Sequence, residues 1–188
     1  MIMRECGRGR RRADHHVPLV KETVPQLLKK VEDLQGDYKI PVLVEKFIDG
    51  QEITGVVFED GKTRHVFLAE KKFRIKADGK HAYTSIESYD NPNAAKYQFV
   101  EEEVEKKASD LCTKAFEVLR FSDYAKFDIR VDEKDQTPYF IDCNPNTALG
   151  PGDQPMTQVM GLHGIEFSDI LASLLSNHVK SPVRPKEI

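Results

Sequence analysis

The sequence contains no tryptophan, only three cysteines and no long apolar run. The cysteines, Cys6, Cys112 and Cys143, are odd in number and lack the spacing of a zinc site. This pattern argues against a disulfide framework and favours a reducing compartment. No segment approaches the apolar length needed to cross a bilayer, and no signal-peptide core is present. We therefore expect a cytoplasmic protein that makes no membrane contact.

Charge is distributed unevenly along the chain. Residues 1–12 contain five arginines and one glutamate, whereas the rest of the chain is acidic. Such a segment can bind nucleic acid, but here it has no interleaved aromatic side chains and no basic face behind it. We therefore predict a disordered basic tail over residues 1–17 and no nucleic-acid partner. Residues 180–188, which contain two prolines, are expected to form a frayed tail.

The segment between these tails, residues 18–179, shows mixed helix and strand patterns. A capping box from Thr23 to Gln26, with Pro25 in the first turn, predicts a helix that Gly36 ends. Turn signals of the Asp-Gly type then separate strand-like runs. These runs predict an antiparallel meander, and they cover residues 42–48, 52–58, 63–69 and 81–88.

Helical periodicity returns in the second half of the chain. A helix is predicted over Glu101–Arg120, because apolar residues recur on one stripe and glutamates open it. The stripe consists of Val104, Ala108, Leu111, Ala115 and Val118. A loop rich in glycine and proline follows at residues 145–155, and a last helix is predicted over residues 166–178.

Two strand-like segments, FDIR and FIDCN, flank a polar stretch at residues 132–137 and predict a hairpin. Alternation puts Asp128 and Arg130 on one face of the first strand, and Asp142 and Asn144 on one face of the second. If those faces coincide, two carboxylates and an amide converge, and such oxygen ligands suit Mg²⁺. The alternative is an edge hairpin with a solvated polar face.

The segment VLVEKFIDGQE, residues 42–52, offers a second candidate site. An adenine needs apolar walls and a few backbone groups along its edge, which a strand leading into residues 45–48 can provide. The carboxylate of Glu52 can accept from ribose hydroxyls, and Ile141 can form part of the opposite wall. The alternative is an ordinary hairpin with exposed acids.

The order of EKFIDGQE, a helix, YAKFDIR and FIDCNPN resembles the ATP-grasp superfamily, in particular its D-alanine–D-alanine ligase-like branch of carboxylate–amine ligases. The resemblance covers residues 17–178. It implies an α+β ATP-grasp fold of antiparallel sheets flanked by helices, incomplete at its N-terminus. It also implies an ATP-dependent ligase that joins a small-molecule carboxylate to an amine through an acyl phosphate, with ATP and Mg²⁺ or Mn²⁺ as cofactors.

The resemblance also implies roles for individual residues. The adenine site would be lined by Glu45, Lys46, Phe47, Ile48 and Ile141, and the ribose would meet Glu52. The metal would be held by Asp128, Asp142 and Asn144. The catalytic cations would be Lys126, Arg130 and Lys96. The family usually has glutamate at the place of Asp142 and often arginine at the place of Lys126, so the metal distances and the substrate are expected to differ.

The family places an N-terminal lobe before the segments found here. The resemblance therefore predicts a chain that is inactive alone and needs either that lobe or a complementary subunit. The alternative is a non-catalytic nucleotide-binding or interaction module derived from an ATP-grasp ligase.

Overall fold

A computed structural model of the chain describes residues 2–5, 17–18, 23–39, 41–61, 63–73, 95–152 and 154–179. Its contacts divide the chain into two compact units. The first unit contains Met1–Ile48 and Phe73–Ala95, and the second contains Asp49–Lys72 and Lys96–Ile188. The segment 18–179, treated as one region in the sequence, therefore spans both units.

The first unit contains a small antiparallel sheet and one helix. Strands β1 (Ile2–Glu5), β2 (Val17–Pro18) and β3 (Val42–Glu45) form a sheet in the order β2-β1-β3, and helix α1 covers Val24–Tyr38. The start of α1 is capped as predicted, since the Gln26 side-chain oxygen accepts from the Thr23 amide at 2.8 Å. The helix continues past Gly36 and ends at Lys39, whose φ of 54° is left-handed.

Two sequence predictions for this unit differ from the structure. Strand β1 lies inside the predicted disordered tail, because most of the arginines follow residue 5 and leave Ile2–Glu5 able to pair with β3. The hairpin predicted around Asp49-Gly50 is wrong, because β3 pairs with β1 in one sheet and the next strand belongs to the other sheet. Residues 81–88 and the tail 180–188 lie outside the described residues.

The second unit contains a five-stranded antiparallel sheet in the order β6-β5-β4-β7-β8. Its strands are β4 (Gly50–Glu59), β5 (Arg64–Phe73), β6 (Ala95–Gln98), β7 (Tyr124–Asp132) and β8 (Pro138–Asn144), of which only the end residues Phe73 and Ala95 are assigned to the first unit. Its described helices are α2 (Glu102–Val118), α3 (Pro155–Leu162) and α4 (Phe167–His178). The predicted hairpin is confirmed as the β7–β8 pair.

The sheet of the second unit has two chemically different faces. Even-numbered residues of β4 and β7 point to one side, here called the even face, and odd-numbered residues point to the α2 face. The α2 face is apolar, and residues such as Ile53 and Phe127 pack there against α2. The even face is apolar only at one end, where Val56 and Phe58 pack against α3 and α4. Its other end carries polar side chains and contains the candidate site.

Helix α2 confirms the predicted helix and the first part of the predicted stripe, since Val104 and Ala108 are buried. Its buried side chains are Val104, Ala108, Cys112 and Phe116, spaced four residues apart. Val118, which was assigned to the stripe, is 72% exposed. The larger ring of Phe116 takes the core position instead, where it meets Phe121 at a centroid distance of 6.0 Å.

Helix α3 is absent from the sequence prediction. It begins at Pro155, where the missing amide hydrogen of proline costs nothing. The helix buries Met156, Thr157, Val159 and Met160. A helix of eight residues with so many buried positions has little polar face, so its apolar periodicity is weak.

We expect Phe116→Ala to lower the free energy of unfolding by about 3–5 kcal/mol, because it removes a fully buried ring. Urea unfolding followed by circular dichroism measures this change. The matched control is Val118→Ala in the same helix, which should change the free energy by less than about 0.5 kcal/mol. Equal effects of the two variants would contradict the placement of α2 on the sheet.

Candidate functional site

The β7–β8 hairpin brings the predicted metal ligands together on the even face. Asp128 stands directly opposite Asp142, and Lys126 stands directly opposite Asn144. The two polar faces therefore coincide, which the sequence had left as a condition of the metal site. Cys143 points the other way and packs against the core of the α2 face.

A β-bulge in β8 makes this arrangement compatible with the core. Asp128 pairs with Asp142, but the next pair is Ile129 with Phe140, so Ile141 has no residue opposite it. Without the extra residue, Phe140 would share the face of Asp142. With it, the ring of Phe140 turns to the α2 face and packs 5.3 Å from the ring of Phe127. Ile141, predicted as an adenine wall, is the bulged residue and is half-buried.

Strand β4 supplies a second row of the site. Glu52 stands opposite Arg130, and both side chains are buried. Nη1 of Arg130 donates to Oε2 of Glu52 at 3.3 Å, and Nη2 donates to the carbonyl oxygen of Gly50 at 3.0 Å. One partner of Arg130 is therefore the buried carboxylate that was predicted for the ribose.

Gly50 makes this contact possible through its backbone. Its φ is +148°, and an added Cβ would lie 1.9 Å from the carbonyl oxygen of Val131. Only glycine therefore allows β4 to begin this close to β7. The turn signal seen in the sequence at Asp49-Gly50 thus marks a close approach of two strands rather than a hairpin.

Asp128 lies in the most crowded electrostatic position of the site. Its carboxylate accepts a hydrogen bond from Nζ of Lys126. Burial raises the pKa of Asp128 above its ordinary range, and the ammonium of Lys126 opposes this rise. The carboxylates of Glu52 and Asp142 raise the pKa further. The ammonium of Lys126 therefore stabilises the ionised form of Asp128 only in part.

Two further residues of this face were given no role from the sequence. Strand β5 continues four residues beyond its predicted end at Ala69, and this extension contains Lys71. Ala69 stands opposite Thr54, so alternation puts Lys71 on the even face as well. Burial lowers the pKa of Lys71, against the attraction of Glu52 and Asp128. Only the full length of β5, together with its register, reveals this lysine.

Tyr97 of β6 is the second of these residues. Its hydroxyl lies 3.4 Å from Oγ1 of Thr54 on the even face. Burial raises the pKa of Tyr97 to about 12, and the nearby carboxylates of Asp128 and Glu52 add to the rise. The phenol therefore stays protonated at neutral pH and can act as a hydrogen-bond donor.

Other predicted residues lie elsewhere. Lys96 is exposed on strand β6, next to Tyr97, so alternation directs its side chain to the opposite face of the sheet. Glu45 and Lys46 are exposed, and Phe47 and Ile48 are half-buried, within the first unit. The adenine role of these four residues stays a prediction.

The oxygen donors of the hairpin suit a hard cation. Two opposed carboxylates and one amide are typical ligands of Mg²⁺, which also keeps waters and binds phosphates. Oδ1 of Asn144 already accepts from the Asn146 amide at 3.0 Å, but a carbonyl oxygen has a second lone pair. Within the described ranges, no group of three or more His, Cys, Asp or Glu side chains is arranged to hold a metal ion. A metal here therefore depends on the amide of Asn144 as well as the acids.

The antiparallel sheet and its flanking helices form an α+β fold of the ATP-grasp type. Residues 20–176 match the family described as D-ala D-ala ligase C-terminus, and the chain belongs to that family. Among the residues that the structure describes, no helix is long and apolar enough to span a membrane.

Individual relatives agree with this assignment. The D-alanine–D-alanine ligase of Paracidovorax citrulli (strain AAC00-1) is 25% identical over 166 residues, which cover 85% of this chain and 47% of that protein. The structure of the Bacillus anthracis D-alanine–D-alanine ligase complexed with ATP has a TM-score of 0.65 and 17% identity, covering 94% of this chain and 51% of that one. The ligase structure from Coxiella burnetii has a TM-score of 0.62 and 17% identity, covering 93% and 43%. The chain thus spans about half the length of the relatives it matches.

The electrostatics of Asp128 can be tested by measuring its pKa with carboxyl carbon NMR. We expect a value above the ordinary range, because burial disfavours the charged form. The folded chain then holds this proton where the unfolded chain has lost it. The contribution of Asp128 to the free energy of unfolding therefore falls as the pH rises through the raised pKa.

Two variants should move this pKa in opposite directions. Lys126→Met should raise it by removing the ammonium, whereas Glu52→Gln should lower it by removing a carboxylate. Lys107→Met removes a lysine that pairs with Glu103 on the surface of α2, and it should leave the pKa of Asp128 unchanged. If neither Lys126→Met nor Glu52→Gln changes the pKa of Asp128, these three side chains do not interact as described.

Proposed function

We propose that this chain is the ATP- and metal-binding part of a carboxylate–amine ligase that acts through an acyl phosphate. The observation that carries the proposal is the opposition of Asp128 and Asp142 across β7 and β8, with Asn144 one pair further along. Membership of the D-ala D-ala ligase C-terminus family supports it. The ATP named in the Bacillus anthracis structure supports ATP as the nucleotide.

Asp128, Asp142 and Asn144 would hold Mg²⁺ or Mn²⁺. The bound ion would neutralise part of the phosphate charge during transfer. The raised pKa of Asp128 supports this role, because a cation next to a carboxylate favours the ionised form that burial disfavours. Lys126, on the same carboxylate, would hold Asp128 in place and remain near the anionic groups.

The nucleotide contacts remain predictions. Glu52 would meet the ribose. Glu52 also accepts from Arg130, which would hold the carboxylate in position for the sugar. This assigns Arg130 to positioning Glu52 rather than to contacting the substrate.

The proposed reaction has two steps. A carboxylate oxygen of the first substrate attacks the γ-phosphorus of ATP, the bond from that phosphorus to the β,γ-bridging oxygen breaks, and ADP leaves. The amine nitrogen of the second substrate then attacks the acyl carbon, the bond from that carbon to the phosphate oxygen breaks, and the nitrogen loses a proton. The protein contributes mainly positioning and electrostatic stabilisation. Residues beyond this chain, from a further lobe or subunit, would complete the substrate sites.

The proposal predicts that Mg-ATP raises the melting temperature of the chain, because a ligand that binds only the folded state stabilises it. Asp142→Asn should weaken Mg-ATP binding by at least about tenfold and remove most of the shift, since even outer partners of metal ligands are worth about 10–100-fold. Differential scanning fluorimetry over a range of Mg-ATP concentrations measures both effects.

The matched control is Asp110→Asn, which removes an exposed acid of α2 away from the β7–β8 hairpin. Its shift should equal that of the unaltered chain. If Mg-ATP leaves the melting temperature of the chain unchanged, the proposed function is contradicted. A shift that survives Asp142→Asn would remove the metal assignment.

One observation favours a second function, nucleotide binding without catalysis. Two of the cations to which the resemblance gave a catalytic role already contact carboxylates of the protein, since Lys126 contacts Asp128 and Arg130 contacts Glu52. In that case the chain would bind Mg-ATP but release no ADP. A coupled assay for ADP, with D-alanine as the substrate named for the relatives, distinguishes the two functions. Release of ADP above the rate without D-alanine excludes the non-catalytic function.

A further inference from the structure

Four aromatic rings are linked by successive contacts at the apolar end of the even face. His65 stacks on Phe67 with a centroid distance of 6.0 Å, and both belong to β5. The ring of Phe67 meets that of His163 at 5.4 Å. The ring of His163 in turn meets that of Phe99 edge-on at 5.2 Å. His163 follows α3 and Phe99 follows β6, so this chain of rings connects β5, α3 and β6.

His163 also contacts the backbone of β5. Its Nε2 lies 2.9 Å from the carbonyl oxygen of Leu68, and because a carbonyl oxygen only accepts, Nε2 is the donor. Helix α3 is itself packed on the sheet through buried side chains that include Met156 and Met160. One side chain at the end of a well-packed helix therefore contacts β5 through a hydrogen bond and Phe99 through its ring.

Strand β6 is the element that these contacts can hold in place. It has only four residues, AKYQ, and stands at one end of the strand order. A slip of one residue would turn every side chain to the opposite face, which would exchange the faces of Lys96 and Tyr97. Two contacts at the end of β6 oppose this slip. Nε2 of Gln98 donates to Oε2 of Glu70 at 2.9 Å, and the next residue, Phe99, meets His163.

Tyr97 connects this register to the candidate site. Its ring packs against the apolar cluster of the even face, and its hydroxyl lies 3.4 Å from Oγ1 of Thr54. Thr54 stands opposite Asp128 in the pairing of β4 with β7. Tyr97 therefore extends from the apolar end of the even face to the polar end, and it is only two residues away from Phe99.

We propose that His163 is a positioning residue of the candidate site. Through its ring contact with Phe99 and its hydrogen bond to Leu68, it fixes the register of β6 and so holds the hydroxyl of Tyr97 beside Thr54. This inference rests on the proposed function, because it makes Tyr97 part of the site at which the nucleotide binds.

The first measurement uses NMR and needs no ligand. In the unaltered chain, a nuclear Overhauser effect should join the ring of Tyr97 to the methyl group of Thr54, since their hydroxyl oxygens lie 3.4 Å apart. His163→Ala and Phe99→Ala should each remove most of this signal. Phe99 is 60% exposed, so its replacement tests the register without removing a core side chain.

His65→Ala is the matched control, because it removes the histidine on the other side of Phe67, which contacts Phe67 and Asp60. It should leave the signal unchanged. An equal loss in His65→Ala and His163→Ala would mean a general loosening of the ring contacts and would overturn the inference. So would an unchanged signal in either His163→Ala or Phe99→Ala. If His163→Ala does not fold, His163→Gln takes its place, since it keeps an N–H donor but not the ring.

The second measurement tests whether this register matters for the nucleotide. Tyr97→Phe should weaken Mg-ATP binding by about two- to tenfold in isothermal titration calorimetry, as expected for one neutral hydrogen bond. Phe99→Ala should cause a similar loss. The double variant should bind no more weakly than the weaker single variant, because both changes act through the same hydroxyl. Losses that multiply would mean that Phe99 acts by another route and would overturn the positioning role.

The inference and the proposed function fail in different ways. If the unaltered chain does not bind Mg-ATP, the proposed function is contradicted, and the role of His163 at a nucleotide site fails with it. If the unaltered chain binds Mg-ATP and the signal between Tyr97 and Thr54 survives in His163→Ala, the inference alone fails.

Discussion

Three carboxylates, those of Glu52, Asp128 and Asp142, share one end of one face of a β-sheet. Carboxylates this close repel one another, and burial makes the repulsion stronger. The protein compensates for the first two with Arg130 and Lys126. The carboxylate of Asp142 is exposed, and burial raises the pKa of Asp128. A bound cation would stabilise the ionised forms of both carboxylates. The architecture of the second unit positions this cluster.

The architecture follows from placing polar and apolar groups on the same strands. The even face needs an apolar end for α3 and α4, and a polar end for the site. The bulge at Ile141 keeps Phe140 in the core while Asp142 stays opposite Asp128. Gly50 lets β4 start so close to β7 that its carbonyl oxygen reaches Arg130. A buried ion pair adds little net stability, so we interpret the pair of Arg130 and Glu52 chiefly as a means of positioning.

The sequence was sufficient for the local parts of this arrangement. Alternation in FDIR and FIDCN predicted the polar hairpin, and periodicity predicted α2, because both patterns depend on neighbouring residues. It was insufficient where distant strands decide the outcome. The pairing of Arg130 with Glu52, 78 residues apart, follows from the register of β4 on β7. The position of Lys71 likewise depends on how far β5 extends. The pairing of β3 with β1 was missed because the Asp49-Gly50 turn signal favoured a local hairpin instead.

The most direct test of the central claim replaces Mg²⁺ with Mn²⁺, whose unpaired electrons broaden NMR signals of nearby nuclei. Titrating Mn-ATP into the labelled chain should first broaden the side-chain signals of Asp128, Asp142 and Asn144. The acidic start of α2, Glu102–Glu105, offers a cation a second negative surface and serves as an internal comparison. Broadening that begins on the β7–β8 hairpin is the predicted result. Broadening that begins on α2, or that spreads equally over all acidic side chains, would contradict the account.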